Sequence, residues 1–170
     1  MVKRVFNSLG LTKDEISFWA HKVQTQNFNS FEELKNEIKP GSTIYTGQLE
    51  YDVEEEIEYT FAYSDTISTL KRFKPHYRLF LLSNIATPYK QCFYNEGLDE
   101  FFEKEFFSCD IGFRKPELGA YQTIIDYSGL SPKQLLMIGD SKVSDYEGAL
   151  NAGIPAILKD KDLSLLTKHL

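Results

Sequence analysis

The chain has 170 residues, 42% hydrophobic and 14% aromatic, with a net charge of -6. That suits one domain with a small insertion or cap, long enough to bury a core and too apolar for disorder. The acidic balance excludes a general nucleic-acid binder, which needs a basic face, and no apolar run approaches the roughly 20 residues of a membrane span.

The first residues, Met1-Val2-Lys3-Arg4, do not read as a signal peptide. Cys92 and Cys109 are the only cysteines and form no CxxC pair. Two small buried thiols in a reducing, cytoplasmic setting are expected.

The first half has a helical period. Val2, Val5, Phe6 and Leu9 recur at i, i+3, i+4 and i+7, and Gly10 then offers a left-handed cap with Leu11 behind it. Thr12 and Glu15 form a capping box ahead of an Ile16, Trp19, Ala20 and Val23 stripe. Ser30 and Glu33 form a second box before Phe31, Leu34 and Ile38, and Pro40-Gly41 stop that helix. Another helix is expected around Val53, Ile57 and Phe61, with Asp52, Glu54, Glu55, Glu56 and Glu58 as its solvated face. Ser64 is expected to cap a last helix carrying Ile67, Leu70 and Phe73. Residues 1–74 thus read as a helical, cap-like module.

From residue 77 the pattern changes. Arg78 to Leu82 reads as a buried strand ending at Ser83-Asn84, followed by a helix with Thr87 as N-cap and Pro88 in its first turn. Glu105 to Ser108, Leu135 to Ile138 and Ile154 to Leu158 are further strands. Pro116 to Tyr127 and Tyr146 to Asn151 are the helices between them. Alternating strands and helices predict an α/β fold, a three-layer Rossmann-like parallel sheet, over residues 75–170. Phe101, Phe102, Phe106 and Phe107 read as core around its second strand. His21, His76 and His169 sit in no catalytic or ligand spacing.

Three loops then fall on one edge of that sheet, beyond the carboxyl ends of the strands where such folds bind ligands. Ser83-Asn84 offers a hydroxyl and an amide to phosphoryl oxygens. Arg114-Lys115-Pro116 places a point charge before a helix. Gly139-Asp140-Ser141 through Asp145 offers oxygen ligands for Mg²⁺. Singly, each is ordinary turn or cap chemistry; their shared order and edge point to a site.

On these residues the chain resembles the haloacid dehalogenase (HAD) superfamily, in the branch with a helical cap after the first strand. Leu79 to Asn84 is similar to that family's second motif. Gly112-Phe113-Arg114-Lys115-Pro116-Glu117 is similar to its third. Gly139-Asp140-Ser141 to Asp145, with Gly148-Ala149 and Ala152-Gly153-Ile154, is similar to its fourth. The resemblance implies catalytic and phosphate-binding roles for Ser83 and Lys115, with Asn84 a lesser phosphate contact. It implies Asp140 and Asp145 as the metal pair for Mg²⁺, and a small phosphorylated metabolite as substrate. It leans toward phosphatase rather than dehalogenase chemistry.

The family's first motif, an apolar strand ending in Asp-x-Asp-Gly-Thr, is not in the sequence. Val5 to Gly10, forced into its place, offers Asn7 and Leu9, and neither an amide nor a leucine can replace a carboxylate nucleophile and acid. Asp65 reads as dipole decoration at a helix start. The chain as written is therefore expected to be inactive, truncated or degenerate, with Mg²⁺ binding weak or absent. The alternative is a non-catalytic member that binds a ligand or partner. In the family the first strand lies mid-sheet, so a slot is expected between the strands ending at Ser83 and Asp140. Val2 to Phe6, a segment from another chain in a dimer by strand exchange, or direct closure of the two edges could fill it.

Overall fold

The computed structural model describes residues 6, 9–43 and 45–159. Its helices are α1 (Lys13–Thr25), α2 (Phe31–Ile38), α3 (Gly47–Glu58), α4 (Ser64–Phe73), α5 (Lys90–Asn95), α6 (Ser108–Ile111), α7 (Leu118–Ser128) and α8 (Gly148–Asn151). Its strands are β1 (Phe80–Ser83), β2 (Lys104–Phe107), β3 (Met137–Gly139) and β4 (Ala156–Leu158).

Local chemistry sets the ends of the first helices. The Thr12 hydroxyl accepts from the Glu15 N–H while the Glu15 carboxylate accepts from the Thr12 N–H, a complete capping box. The second box is only half formed. Ser30 accepts from the Glu33 N–H, but the Glu33 carboxylate accepts from the Asn29 N–H one residue earlier than expected. Gly10 and Gly41 both adopt positive φ, 71° and 75°, where a Cβ would be strained.

The helix read over Val2 to Leu9 lies mostly outside the described residues. Phe6 is helical, and Phe6 and Leu9 are buried with Val23 and Leu34 in a core of the helical module, with Ile16, Trp19 and Ala20 packed on it. Two expectations there need correction. Phe61 lies beyond the end of α3 and is 71% exposed, because the helix stops at Glu58. Ser64 is the first residue of α4 rather than its cap; Tyr63 is the N-cap.

In the second half the elements form as the alternation predicts, with shifted ends. Thr87–Tyr89 is a single tight turn capped by Ala86, and the α-helix proper begins at Lys90. Ser108 leaves β2 to open α6. The segment after β3 is a π-turn over Lys142–Glu147 that runs into α8, so helix begins earlier than Tyr146.

The strands pair in parallel as two separate ribbons, β1 with β2 and β3 with β4. The Glu103 N–H donates to Leu79 C=O, so odd-numbered residues of β1 turn their backbone groups to β2. Parallel alternation turns Phe80 and Leu82 to the opposite edge. On β3, Met137 donates to Pro155 C=O and Gly139 accepts from Lys159, which leaves Ile138 facing away from β4. Among the described residues no strand occupies these two edges, and they do not close directly on each other. One core still spans both ribbons: Leu82, Phe106, Ala120, Tyr121, Ile124, Ala149 and Ile154, with Ala120, Tyr121 and Ile124 supplied by α7. Phe93, Phe107 and Cys109 form a second cluster on which Phe102 packs. Both cysteines are free, Cys109 buried and Cys92 half-buried. Among the described residues no helix is long and apolar enough to cross a membrane.

Tyr121 is 1% exposed and donates its hydroxyl to Ser144 C=O, tying α7 to the π-turn. Burial, and then the nearby Asp145, push its phenol up to about 12 from the usual 10. The native state therefore holds this proton more tightly than the unfolded chain. Its contribution is fully present below about pH 10 and is lost as pH climbs toward 12. Urea midpoints measured between pH 8 and 12 should fall more steeply for the natural protein than for Tyr121→Phe, the difference being on the order of 2 kcal/mol. Equal slopes would show that the phenol titrates alike in both states.

Candidate active site

The strand ends bring two of the other four expected residues, Asn84 and Asp145, onto Lys115. Leu82 is the last residue of β1 to face the open edge, and its carbonyl accepts from Lys115 Nζ at 2.7 Å. The same ammonium reaches Asp145 Oδ1 at 2.6 Å. The second oxygen, Asp145 Oδ2, accepts from the Ser141 N–H at 2.9 Å. Lys115 therefore stands where the missing strand pairing would otherwise be, and its ion pair with Asp145 links the end of β1 to the turn after β3. Asp145 is 5% exposed, so this is a buried pair and not the solvated charge that a Lys-Pro sequence ordinarily suggests.

Asn84 acts on the same lysine. Its Nδ2 donates to Lys115 C=O and its Oδ1 accepts from the Lys115 N–H, both at 2.7 Å. This two-point clamp orients the lysine's backbone. Its carboxamide is thus turned to protein, whereas the resemblance assigned it to phosphate. Ser83, next to Leu82, makes no side-chain hydrogen bond among the described residues and leaves its hydroxyl available at the strand end. Asp140 is exposed and likewise makes no side-chain bond.

Magnesium is the group the fourth motif suggests, and its fit depends on the donors at hand. Both oxygens of Asp145 already accept bonds from Lys115 and Ser141. Asp140 is then the one carboxylate of the pair without a protein partner, and among the described residues no three of His, Cys, Asp and Glu gather around a common point. Magnesium usually keeps several waters and is held by one or two carboxylates together with substrate phosphate, so Asp140 is the carboxylate of the pair that could take it.

Sequence reasoning missed the contact that fastens the helical module to this site. His21 Nε2 of α1 lies 2.7 Å from Glu117 Oε1, just past Lys115-Pro116. The Arg114 N–H donates to Glu117 Oε2 at 3.2 Å, and Arg114 Nη1 donates to Gln24 of α1 at 3.2 Å. Asn27 adds bonds to Asp110 and Thr87. In the sequence His21 sits in no catalytic or ligand spacing, and no local spacing reveals this contact, because its partner is 96 positions away.

A family model for haloacid dehalogenase-like hydrolases matches residues 5–153, taking in the helical module as well as the α/β part. The glyceraldehyde 3-phosphate phosphatase of Methanothermobacter thermautotrophicus is 32% identical over 104 residues, 60% of this chain. That match spans less than half of the relative, 46% of its length. Among solved structures, a HAD family enzyme from Bacteroides thetaiotaomicron in a magnesium complex superposes with a TM-score of 0.74, covering 98% of this chain and 89% of that one at 19% identity. A HAD phosphatase from Thermococcus onnurineus gives 0.63, covering 95% and 76% at 21% identity. At such identities the structural likeness is one of fold.

Proposed function

Because the chain belongs to the haloacid dehalogenase-like hydrolases, we propose that it carries the phosphate-holding half of a phosphohydrolase site for small phosphorylated metabolites and, as it stands, turns over none. The observation that supports this reading most is the Lys115 ammonium, buried at the end of β1 beside the free Ser83 hydroxyl. A cation fixed by Leu82 C=O and Asp145 still has a third N–H to offer an anionic oxygen. Ser83 would bind a second phosphoryl oxygen, and Asn84 holds the lysine's backbone in place for both. The phosphatase relative supports a phosphorylated small molecule as the ligand class.

Turnover needs a carboxylate that attacks phosphorus and a second acid that protonates the leaving oxygen. Asp145 cannot take the first role while it accepts from both Lys115 and Ser141. Asp140 is exposed and makes no side-chain hydrogen bond among the described residues, so nothing aims it at a leaving oxygen. The sequence holds no Asp-x-Asp-Gly-Thr to supply either. The same facts favour the second reading, a non-catalytic ligand-binding member of the family.

Two measurements test the proposal. With p-nitrophenyl phosphate and Mg²⁺, the protein should release no phosphate above background; Mg²⁺-dependent release that disappears in Asp140→Ala would overturn the proposal. By calorimetry, inorganic phosphate should bind, and Ser83→Ala should weaken that binding about fivefold, the worth of one hydrogen bond. No phosphate binding by the folded protein would leave only the non-catalytic reading.

A further inference from the structure

The turn that carries Lys115 has two supports. It first closes on itself: the Glu117 N–H donates to Arg114 C=O at 2.8 Å, and the Arg114 N–H donates back to Glu117 Oε2 at 3.2 Å. One support is Asn84, at the end of β1, which holds the Lys115 peptide through both its N–H and its C=O. The other is α1 of the helical module. His21 Nε2 lies 2.7 Å from Glu117 Oε1, and Arg114 Nη1 donates to Gln24 at 3.2 Å. The module thus grips the two residues that flank Lys115-Pro116.

Glu117 is where turn and module meet. Its Oε2 serves the turn and its Oε1 serves His21, with Arg114 Nε at a longer 3.6 Å from the same oxygen. A glutamate's last torsion is broad, so without His21 the carboxylate is free to turn away from the Arg114 N–H and loosen the turn. The side chains of His21 and Glu117 are 45% and 35% exposed. Exposure of this degree keeps the contact modest in strength. It also means that removing His21 strands no buried polar group, so the fold survives the loss and a change in anion binding can be read by itself.

We infer, resting on the reading of Ser83 and Lys115 as phosphate-holding residues, that His21 and Glu117 are positioning residues for that site. The contact between them ties the placement of α1 to the placement of Lys115, so anion binding at Lys115 and seating of the helical module favour each other. Neither residue touches the anion; both act through the turn. A contact can pass on no more free energy than its own worth. For one half-exposed hydrogen bond the effect on affinity is therefore about fourfold, not orders of magnitude.

Inorganic phosphate titrated by calorimetry into the full chain, at one fixed pH, tests this. His21→Ala should weaken binding about fourfold. Glu117→Ala should weaken it by at least as much, since it also removes the acceptor of the Arg114 N–H. Adding His21→Ala to Glu117→Ala should change nothing further, because His21 then has no partner to act on. His21→Gln, whose Nε2 can reach the same carboxylate oxygen, should recover most of the affinity. A merely structural contact would instead lower the urea midpoint of His21→Ala and leave its phosphate affinity at the natural value. If Glu117→Ala fails to fold, the comparison of His21→Ala with His21→Gln still decides. Natural affinity in folded His21→Ala, a further fourfold loss in the double variant, or no recovery in His21→Gln would each overturn the assignment while the phosphate site stands. Absence of phosphate binding by the natural protein would remove the site itself, and this coupling with it.

Discussion

Replacing Lys115 with methionine is expected to cost about 3–5 kcal/mol of folding stability, the loss typical when one partner of a buried ion pair is removed. The side chains of Lys115 and Asp145 are only 11% and 6% exposed. Methionine keeps the length and apolar stem of the lysine but leaves the Asp145 carboxylate with a single donor, the Ser141 N–H. It also takes the donor from Leu82 C=O at an edge where no neighbouring strand is described to replace it. Asp145→Leu should cost a similar amount by stranding the ammonium. The double variant Lys115→Met/Asp145→Leu should recover much of the loss, because no unpaired charge then remains buried. Urea unfolding of the four proteins reads this cycle directly. If Lys115→Met cost under about 1 kcal/mol, the pair would be solvated and weak like a surface salt bridge, and the site geometry would be wrong.

Gly139→Ala should be the next most damaging single change, at about 2–3 kcal/mol. The backbone of Gly139 does not have positive φ, so conformation is not the obstacle. Space is: a Cβ there would fall inside van der Waals contact of Asp145 Cγ and Oδ2. Asp145 cannot simply swing aside, because its oxygens are held by Lys115 and the Ser141 N–H. Overpacking of this kind costs about 1–3 kcal/mol, with loss of part of the ion pair added to it. Coupling is the decisive readout. With Asp145→Gly already present, the Cβ, Cγ and Oδ2 that the methyl would meet are all gone, and Gly139→Ala should become nearly neutral. Additive costs in that cycle would mean that the methyl disturbs something other than Asp145. The glycine of Gly139-Asp140-Ser141 is thus explained by the carboxylate it makes room for, six residues further on.

The match between sequence and structure follows the range of each interaction. The Thr12–Glu15 capping box, the positive-φ glycines at residues 10 and 41, and the alternation from β1 to β4 depend on neighbours a few positions apart. All were legible as spacing. The errors of boundary are of the same kind. Glu33 reaches Asn29 instead of Ser30, and Phe61 lies past the end of α3; both are competitions between adjacent residues that spacing does not rank.

By itself the sequence determined the α/β class, the family, and the fact that its text contains no Asp-x-Asp-Gly-Thr, since these are properties of order and identity along the chain. Only the tertiary structure decided what Lys115 does with its charge, that Asn84 clamps the lysine's backbone, and that His21 meets Glu117. The partners in these contacts lie 30, 31 and 96 positions apart. No periodicity connects residues at such separations. They meet because parallel strands bring their carboxyl ends to one edge and because packing, rather than local propensity, sets how the helical module rests against that edge.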